Sequence, residues 1–402
     1  MKVLFISGLY SEKLRLFLNK ECPYCLQNAP DVFQWAIVEG LNEIDIEYEI
    51  ISYPFLPCYP NYNFLSVLQD DIMYNNKCIG KVMTYSTIPL LKQYSISSSI
   101  IRYVENKIKE INGEQLVILT YSPQSYFLKP IIKLKKKYKN ILLATIVTDL
   151  IDDVLNFKVN TSILKKIQNK IEFNSIKKAY CGIDKFILLS RPMIEKIPEA
   201  ENKSIVVEGI VSKKEWNEKY VNNKIRSLFY AGTLQEFSGV RELLYAFHSI
   251  PNENYRLVIC GQGTLTPEIE KFAKQDCRII YLGMQPREEV LRLQLESTLL
   301  INPRRPDSSI TRFSFPSKTI EYMASGTPMI GYKLEGIPVE YYENYYTIDE
   351  LDEKSLSDTI NVTMALPQEE LNLKAKKAYE FVMKNKTAYI QVKRILDFVS
   401  NI

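Results

Sequence analysis

The chain has 402 residues, 46% of them hydrophobic and 24% charged, with a formal net charge of +4. That length makes two domains of about 100–200 residues the default. The apolar content excludes a disordered chain, and so small a positive excess does not point to nucleic acid. The seven cysteines, Cys22, Cys25, Cys58, Cys78, Cys181, Cys260 and Cys277, are scattered and odd in number. They argue against a disulfide framework and for a reducing compartment.

The start, MKVLFISGLY, is a short apolar run broken by Gly8; it reads as a buried strand rather than a signal peptide. No run reaches the roughly 18 apolar residues that spanning a membrane requires. Cys22 and Cys25 form CPYC, but in a loop-like stretch well after the first strand. A thioredoxin-like motif opens a helix just after that strand, and no second cysteine pair or histidine completes a zinc site.

In chain order, apolar runs at 2–8, 46–53, 115–121, 141–149, 185–190 and 204–209 alternate with amphipathic stretches such as 27–42 and 97–111. Continuously apolar strands between helices imply a parallel sheet covered on both faces. Residues 213–227 are polar without an apolar stripe and read as a linker. The alternation then restarts, with strands at 227–232, 255–261, 277–283, 297–303 and 327–332. Helices are expected at 240–249, 266–274, 286–296 and 317–325, and again over 368–401. Near the C-terminus, Tyr389, Val392, Ile395, Leu396 and Val399 form one apolar helical face.

Ligands of doubly wound sheets bind beyond the carboxyl ends of the strands. Gly232 and Thr233 follow the first strand of the second half, Gly261 and Gly263 the second, and Gly283 and Met284 the third. A lone G-x-G is equally a tight turn, but three successive strands ending in glycine let a ligand approach backbone closely. The segment 301–332 carries Arg304, Arg305 and Arg312, then a helix that opens at Ser317 after Pro316. Lys318 in its first turn opposes the helix dipole unless an anion binds there. Glu321, one turn on, is placed to accept hydrogen bonds from ribose hydroxyls, and Gly326 suits a left-handed C-cap. His248, the sole histidine, lies on a helix flank with no evident partner and reads as structural. The lysine-rich stretches 126–140 and 163–178 are amphipathic. They are either solvated helix faces or contacts with an anionic membrane.

FSFPSKTIEYMASGTPMIGY resembles the signature of family 4 glycosyltransferases, in the branch that builds bacterial capsular and exopolysaccharides. LFYAGTLQEFSGVRELLYAF, LVICGQGTL, YLGMQPREEV, IVTDLID and SIVVEGIV resemble other blocks of that family in the expected order. The resemblance implies an α/β protein of the B type, with two Rossmann-like doubly wound parallel-sheet domains facing a central cleft. Residues 1–222 would bind the acceptor, 223–384 the donor, and the helical segment 385–402 would cross back to the first domain. It further implies retaining transfer from a UDP- or GDP-linked sugar to a glycan or lipid-linked glycan, without a metal or other cofactor. The protein would be cytoplasmic, touching the inner face of the membrane at most.

On that resemblance Arg304, Lys318 and Glu321 are the catalytic candidates of the second half. Gly232, Thr233, Gly261, Gly263, Gly283, Met284, Arg305 and Ser317 are donor-binding candidates, joined by Gly8 from the first strand's loop. Asp149, where the family often carries His-Asp and this chain has Thr148-Asp149, is the candidate that orients or deprotonates the acceptor hydroxyl; a helix cap is the alternative.

Two departures stand out. The family's first glutamate, eight positions before Glu321, is Phe313 here, and the loop GTLQEFSG lacks the usual basic pair. Phosphate charge must then be met by Arg304, Lys318 and Arg305. A nucleotide-sugar 2-epimerase on the same fold, which would want several carboxylates and a histidine, and an inactive sugar- or nucleotide-binding homologue are the alternative readings.

Overall fold

The computed structural model describes residues 1–150, 163–213 and 226–400. The chain forms two compact units, one from Met1–Val207 with Ala388–Ile402 and the other from Glu208–Thr387.

In unit 1 the strands are β1 (Lys2–Ser7), β2 (Tyr48–Ser52), β3 (Ser66–Val67), β4 (Asp70–Tyr74), β5 (Lys77–Val82), β6 (Tyr85–Ser86), β7 (Leu116–Tyr121), β8 (Ile141–Val147), β9 (Lys185–Leu188) and β10 (Ser204–Val206). Eight of them make one sheet in the order β10-β9-β8-β7-β1-β2-β5-β4, parallel except for the β4–β5 hairpin. β7 and β8 are buried along their whole length, as strands covered on both faces must be. The described helices of this unit are α1 (Glu12–Glu21), α2 (Asn28–Glu43), α3 (Leu91–Glu110), α4 (Ser125–Lys137) and α5 (Ile163–Tyr180).

Unit 2 holds β11 (Ser227–Ala231), β12 (Arg256–Cys260), β13 (Ile279–Gly283), β14 (Leu299–Asn302), β15 (Met329–Tyr332) and β16 (Tyr346–Ile348). They pair in the order β13-β12-β11-β14-β15-β16, all parallel. Its helices are α6 (Val240–His248), α7 (Thr266–Gln275), α8 (Arg287–Glu296), α9 (Ser309–Arg312), α10 (Ser317–Ala324), α11 (Glu353–Ala365) and α12 (Gln368–Asn385). The winding reverses between β11 and β14 here, and between β1 and β7 in unit 1. Such reversal points open a crevice at the carboxyl ends of the strands.

The unit boundary lies earlier than the polar stretch suggests. Glu208 is buried and accepts a hydrogen bond from the Tyr341 hydroxyl at 2.8 Å and another from Lys386. Val211 bridges to Thr387, and its N–H donates to the Lys386 carbonyl at 2.9 Å. An ion pair this buried must be satisfied where it sits, so residues 208–211 fold with unit 2. Residues 214–225 of the expected linker lie outside the described residues.

The last helix, α13 (Ala388–Ser400), packs on α2 of unit 1. Its buried face is Ala388, Gln391, Val392, Ile395, Leu396 and Val399, whereas Tyr389 is exposed. The stripe therefore runs one position from the expected start, because the small Ala388 faces Gly40.

Two further expectations are corrected, on the cysteines and on His248. Cys22 and Cys25 are joined as a disulfide at the C-terminal end of α1, and the other five cysteines are free. His248 has a partner: its Nδ1 lies 2.9 Å from Asp276 Oδ2. Within the stretch 126–140, Lys135 pairs with Asp184 and Lys137 with Glu105, so that face is partly neutralised. Among the described residues no helix is long and apolar enough to cross a membrane.

Close approach of α13 to α2 depends on Gly40. A Cβ there would stand 2.4 Å from the Ala388 carbonyl oxygen and 2.5 Å from Val392 Cγ2. Gly40→Ala should therefore destabilise unit 1 by about 1–3 kcal/mol, overpacking outweighing the helix propensity gained. Denaturant melts of wild type and variant check this; equal stability would mean that α13 is not seated there.

Candidate functional site

The carboxyl ends of β11 and β14 carry most of the residues singled out in the sequence. β11 ends on Ala231, and Gly232 follows with its N–H bonded to the Cys260 carbonyl at 3.0 Å. A Cβ on Gly232 would stand 2.3 Å from Lys318 Cε and 3.0 Å from its Nζ. The Lys318 side chain thus lies directly against the glycine backbone. Its Nζ is 5.9 Å from the ring centroids of Tyr230 and Tyr322, and it makes no hydrogen bond or ion pair to another described residue. Burial pushes its pKa below the usual lysine range, partly offset by Glu321. A half-buried cation that lacks an acceptor is poised for an anion.

Lys318 sits in the first turn of α10, whose N-cap is Pro316 and which no side chain caps. The exposed Ser317 opens the helix. The free N–H groups there and the helix dipole add to the lysine's positive field. At the other end Ser325 is the C-cap and Gly326 has φ +71°, the expected left-handed turn.

Glu321, one turn beyond Lys318, accepts a hydrogen bond from Gln294 Nε2 at 2.7 Å and pairs with Arg287 Nη1 at 3.4 Å. Its side chain is 24% exposed, so it is held in place and still reachable. Neither Gln294 nor Arg287 was singled out in the sequence. Arg287 was legible in YLGMQPREEV as a cation just after the Gly283 turn. Gln294 carried no signal, being one buried polar residue on α8.

Arg304 donates from Nε to Thr311 Oγ1 at 3.0 Å and from Nη2 to Ser314 Oγ at 2.8 Å. It organises the loop that leads to α10. Gly239, at φ +72°, lets that loop approach, since a Cβ there would meet the Pro303 carbonyl oxygen at 1.9 Å. Arg305 pairs with Asp307 at 2.7 Å and Glu242 at 3.6 Å. Arg312 pairs with Glu335 on the surface. Phe313 is buried at the end of α9, so an apolar ring fills the position of the family's first glutamate.

Gly261, at φ +134°, and Gly263 pack against the backbone after β11; a Cβ on either would meet the carbonyl oxygen of Gly232 at 1.9 Å or of Leu234 at 2.1 Å. Their role is thus to bring the β11 and β12 loops together. Thr233 is exposed, and its carbonyl accepts from the Tyr230 hydroxyl at 3.0 Å. Gly283, at φ +66°, faces open space, and Met284 beside it is 66% exposed. A planar group can lie against that turn.

In unit 1, Gly8 is buried, and its N–H donates to Gln34 Oε1 at 2.6 Å. A Cβ on it would collide with the Phe55 ring at 2.3 Å. Phe55 therefore lies over the backbone of Gly8. Asp149 is exposed just past the end of β8, beside Thr148, which hydrogen-bonds Tyr121. Burial and the charge of Asp149 raise the Tyr121 hydroxyl far above its ordinary pKa, keeping it neutral.

Comparison with known proteins places this geometry. Residues 225–365 match the family described as Glycosyl transferases group 1. The D-inositol 3-phosphate glycosyltransferase of Corynebacterium efficiens is 29% identical over 125 residues, 28% of either chain. The match thus spans well under a third of that curated relative. Among solved structures, sucrose-phosphate synthase from Thermosynechococcus elongatus is similar over 99% of this chain and 98% of its own, with a TM-score of 0.64 at 12% identity. The Anabaena protein HepE, solved in complex with UDP, covers 100% of both chains with a TM-score of 0.64 at 12% identity. Trehalose-6-phosphate synthase covers 100% of this chain and 99% of its own, with a TM-score of 0.68 at 9% identity. The fold is the two-Rossmann B type seen in these solved structures, and Lys318 and Glu321 lie in the segment that is similar to the Glycosyl transferases group 1 family.

Proposed function

We propose that the chain transfers a sugar, with retention, from a nucleotide-diphosphate sugar to a hydroxyl of a glycan or lipid-linked glycan in bacterial cell-surface polysaccharide synthesis. The observation that carries this reading is the Lys318 ammonium, without a hydrogen-bond or ion-pair partner among the described residues, lodged against Gly232 at the winding reversal of unit 2. The diphosphate lies against Lys318 and the N-terminus of α10, with Ser317 at its edge. Glu321, oriented by Gln294 and Arg287, accepts from the ribose hydroxyls, and the base lies along Gly283 and Met284. HepE was solved with UDP, which supports a uridine donor.

In the transfer the bond from the sugar's anomeric carbon to the diphosphate breaks, and the bonding electrons leave with the phosphate oxygen. Lys318 and the helix N-terminus stabilise that growing charge. The acceptor oxygen bonds to the anomeric carbon on the same face, and its proton passes to a base, for which Asp149 is the candidate. The positive charge for the leaving group comes from the protein, so the reading requires no metal. His248 is held by Asp276 on the flank of α6, away from Lys318's loop, which favours transfer over an epimerase that needs a histidine. The helices α4 and α5 pack together and present Lys129, Lys133, Lys136, Lys170, Lys177 and Lys178 to solvent beside exposed Ile167 and Ile171. We assign that surface to peripheral contact with an anionic membrane.

Lys318→Met should weaken UDP binding by roughly 1.5–3 kcal/mol, about 10- to 100-fold. Folding penalises the charged form of a lysine whose pKa is lowered, so the same change should raise the Tm of the ligand-free protein. Calorimetry and thermal melts read the two effects, and unchanged UDP affinity would refute the phosphate site. Bound diphosphate favours protonated Lys318. Affinity should therefore hold below its depressed pKa and fall as pH rises through it, a dependence that disappears in Lys318→Met. Glu321→Gln should lower donor affinity or turnover about tenfold without unfolding unit 2; full activity in that variant would remove the ribose contact.

A further inference from the structure

The disulfide between Cys22 and Cys25 is the one covalent cross-link among the described residues, and the proposed transfer makes no use of it. It joins cysteines three positions apart, and so short a closed loop removes little freedom from the unfolded chain. Cys78, Cys181 and Cys277 are free and exposed. Exposed thiols suit surroundings that keep thiols reduced, where a disulfide is exchangeable rather than permanent. Cys22 closes α1 at its C-terminal end, with its N–H on the Leu18 carbonyl at 2.8 Å. The helix dipole disfavours a thiolate there, in contrast to the helix N-terminus that makes a Cys-x-x-Cys pair an attacking group. Both cysteines are buried beneath exposed Pro23 and Tyr24. The pair is thus built to receive exchange when its turn opens, not to drive exchange in other proteins.

The turn that the bond closes, Pro23–Cys25, is a junction of three chain segments. The Tyr10 hydroxyl donates to the Cys25 carbonyl at 3.3 Å and accepts the Gln27 N–H at 3.2 Å. Gln27 Nε2 donates to the Phe55 carbonyl at 3.2 Å, and the Tyr24 hydroxyl to the Asn61 carbonyl at 3.1 Å. Tyr10 belongs to the loop after β1, at the winding reversal of unit 1, and Phe55 lies over Gly8 in that loop.

We propose that Cys22 and Cys25 form a redox switch: the disulfide holds the loop after β1 in order, and reduction loosens that loop together with residues 55–61. The reductant is a dithiol of the thioredoxin class. One of its thiolates attacks a cysteine sulfur, the S–S bond breaks, and the other cysteine leaves as a thiolate that takes up a proton. The reductant's second thiol then displaces the first cysteine. Two electrons and two protons have passed to Cys22 and Cys25, and the reductant departs as a disulfide. Glutathione disulfide reverses the change in two exchanges, releasing two glutathione thiols. In the dithiol form the hydrogen bonds of Tyr10, Tyr24 and Gln27 hang on a three-residue turn with no cross-link to α1. The switch goes beyond the transferase reading and does not depend on it, since it sets the order of this edge of unit 1 for any ligand.

The test uses the full chain and no turnover. The protein is equilibrated in glutathione buffers of stepped oxidised-to-reduced ratio, quenched in acid, and alkylated for peptide mass spectrometry, which reads Cys22 and Cys25 individually. Ellman's reagent on the denatured chain should count five thiols at the oxidising end and seven at the reducing end. Amide hydrogen exchange should quicken about tenfold over 8–11, 22–27 and 55–61 on reduction and stay unchanged in unit 2. Cys22→Ser combined with Cys25→Ser should give the fast rates at every ratio. Tyr10→Phe removes the hydroxyl that joins Cys25 to Gln27; with the disulfide intact, that variant should already exchange fast in the same segments. Seven thiols at every ratio, or five that persist at the reducing end, would overturn the proposal. So would equal exchange of the two wild-type forms, or slow exchange in oxidised Tyr10→Phe.

Discussion

Gly232 has no side chain, and the Lys318 side chain occupies the room that a methyl group there would fill. Much of unit 2 serves this contact. The parallel order of β11 and β14 places the loop after one strand beside the helix that follows the other. Tyr230 and Tyr322 wall the ammonium without neutralising it. The cost is a lysine that the folded state would rather keep uncharged. Stability lost at such a group is recovered only when an anion binds, which is how a binding site differs from a well-packed surface.

The departures from the family pattern take on a physical meaning in that setting. The basic pair that the family pattern carries after the first strand of this domain is absent from GTLQEFSG, so under the proposed transfer Lys318 and the α10 N-terminus would meet more of the diphosphate charge. Arg304 is spent on holding Thr311 and Ser314, and Arg305 on Asp307 and Glu242. Phe313 replaces a carboxylate by a buried ring.

Much of the architecture was legible because parallel strands buried on both faces leave long apolar runs, and these mark β7, β8, β11 and β12 closely. The β4–β5 hairpin was missed: it is an exposed edge whose alternation is weak, although Asn75 and Asn76, at φ +49° and +61°, carry a turn signal. Lys318 and Glu321 were legible from helix-start chemistry. Gln294, which holds Glu321, and Phe55, which covers Gly8, were not, because their roles arise from packing between segments far apart in the chain. The same applies to Arg305 and His248, whose partners Glu242 and Asp276 lie on other segments.

The placement of α13 has a consequence for how the protein is made. Unit 1 is built from two stretches of chain, with all of unit 2 encoded between them. A ribosome translating this message therefore completes the Lys318 domain while α2 is still uncovered at Gly40, where α13 must seat. Until Val392, Ile395 and Val399 emerge, that nascent surface is apolar and open to chaperones or to the same surface on a neighbouring polysome. Slow codons or stalling over residues 370–387 would lengthen that interval, and the yield of folded protein should respond to them more than to pauses elsewhere.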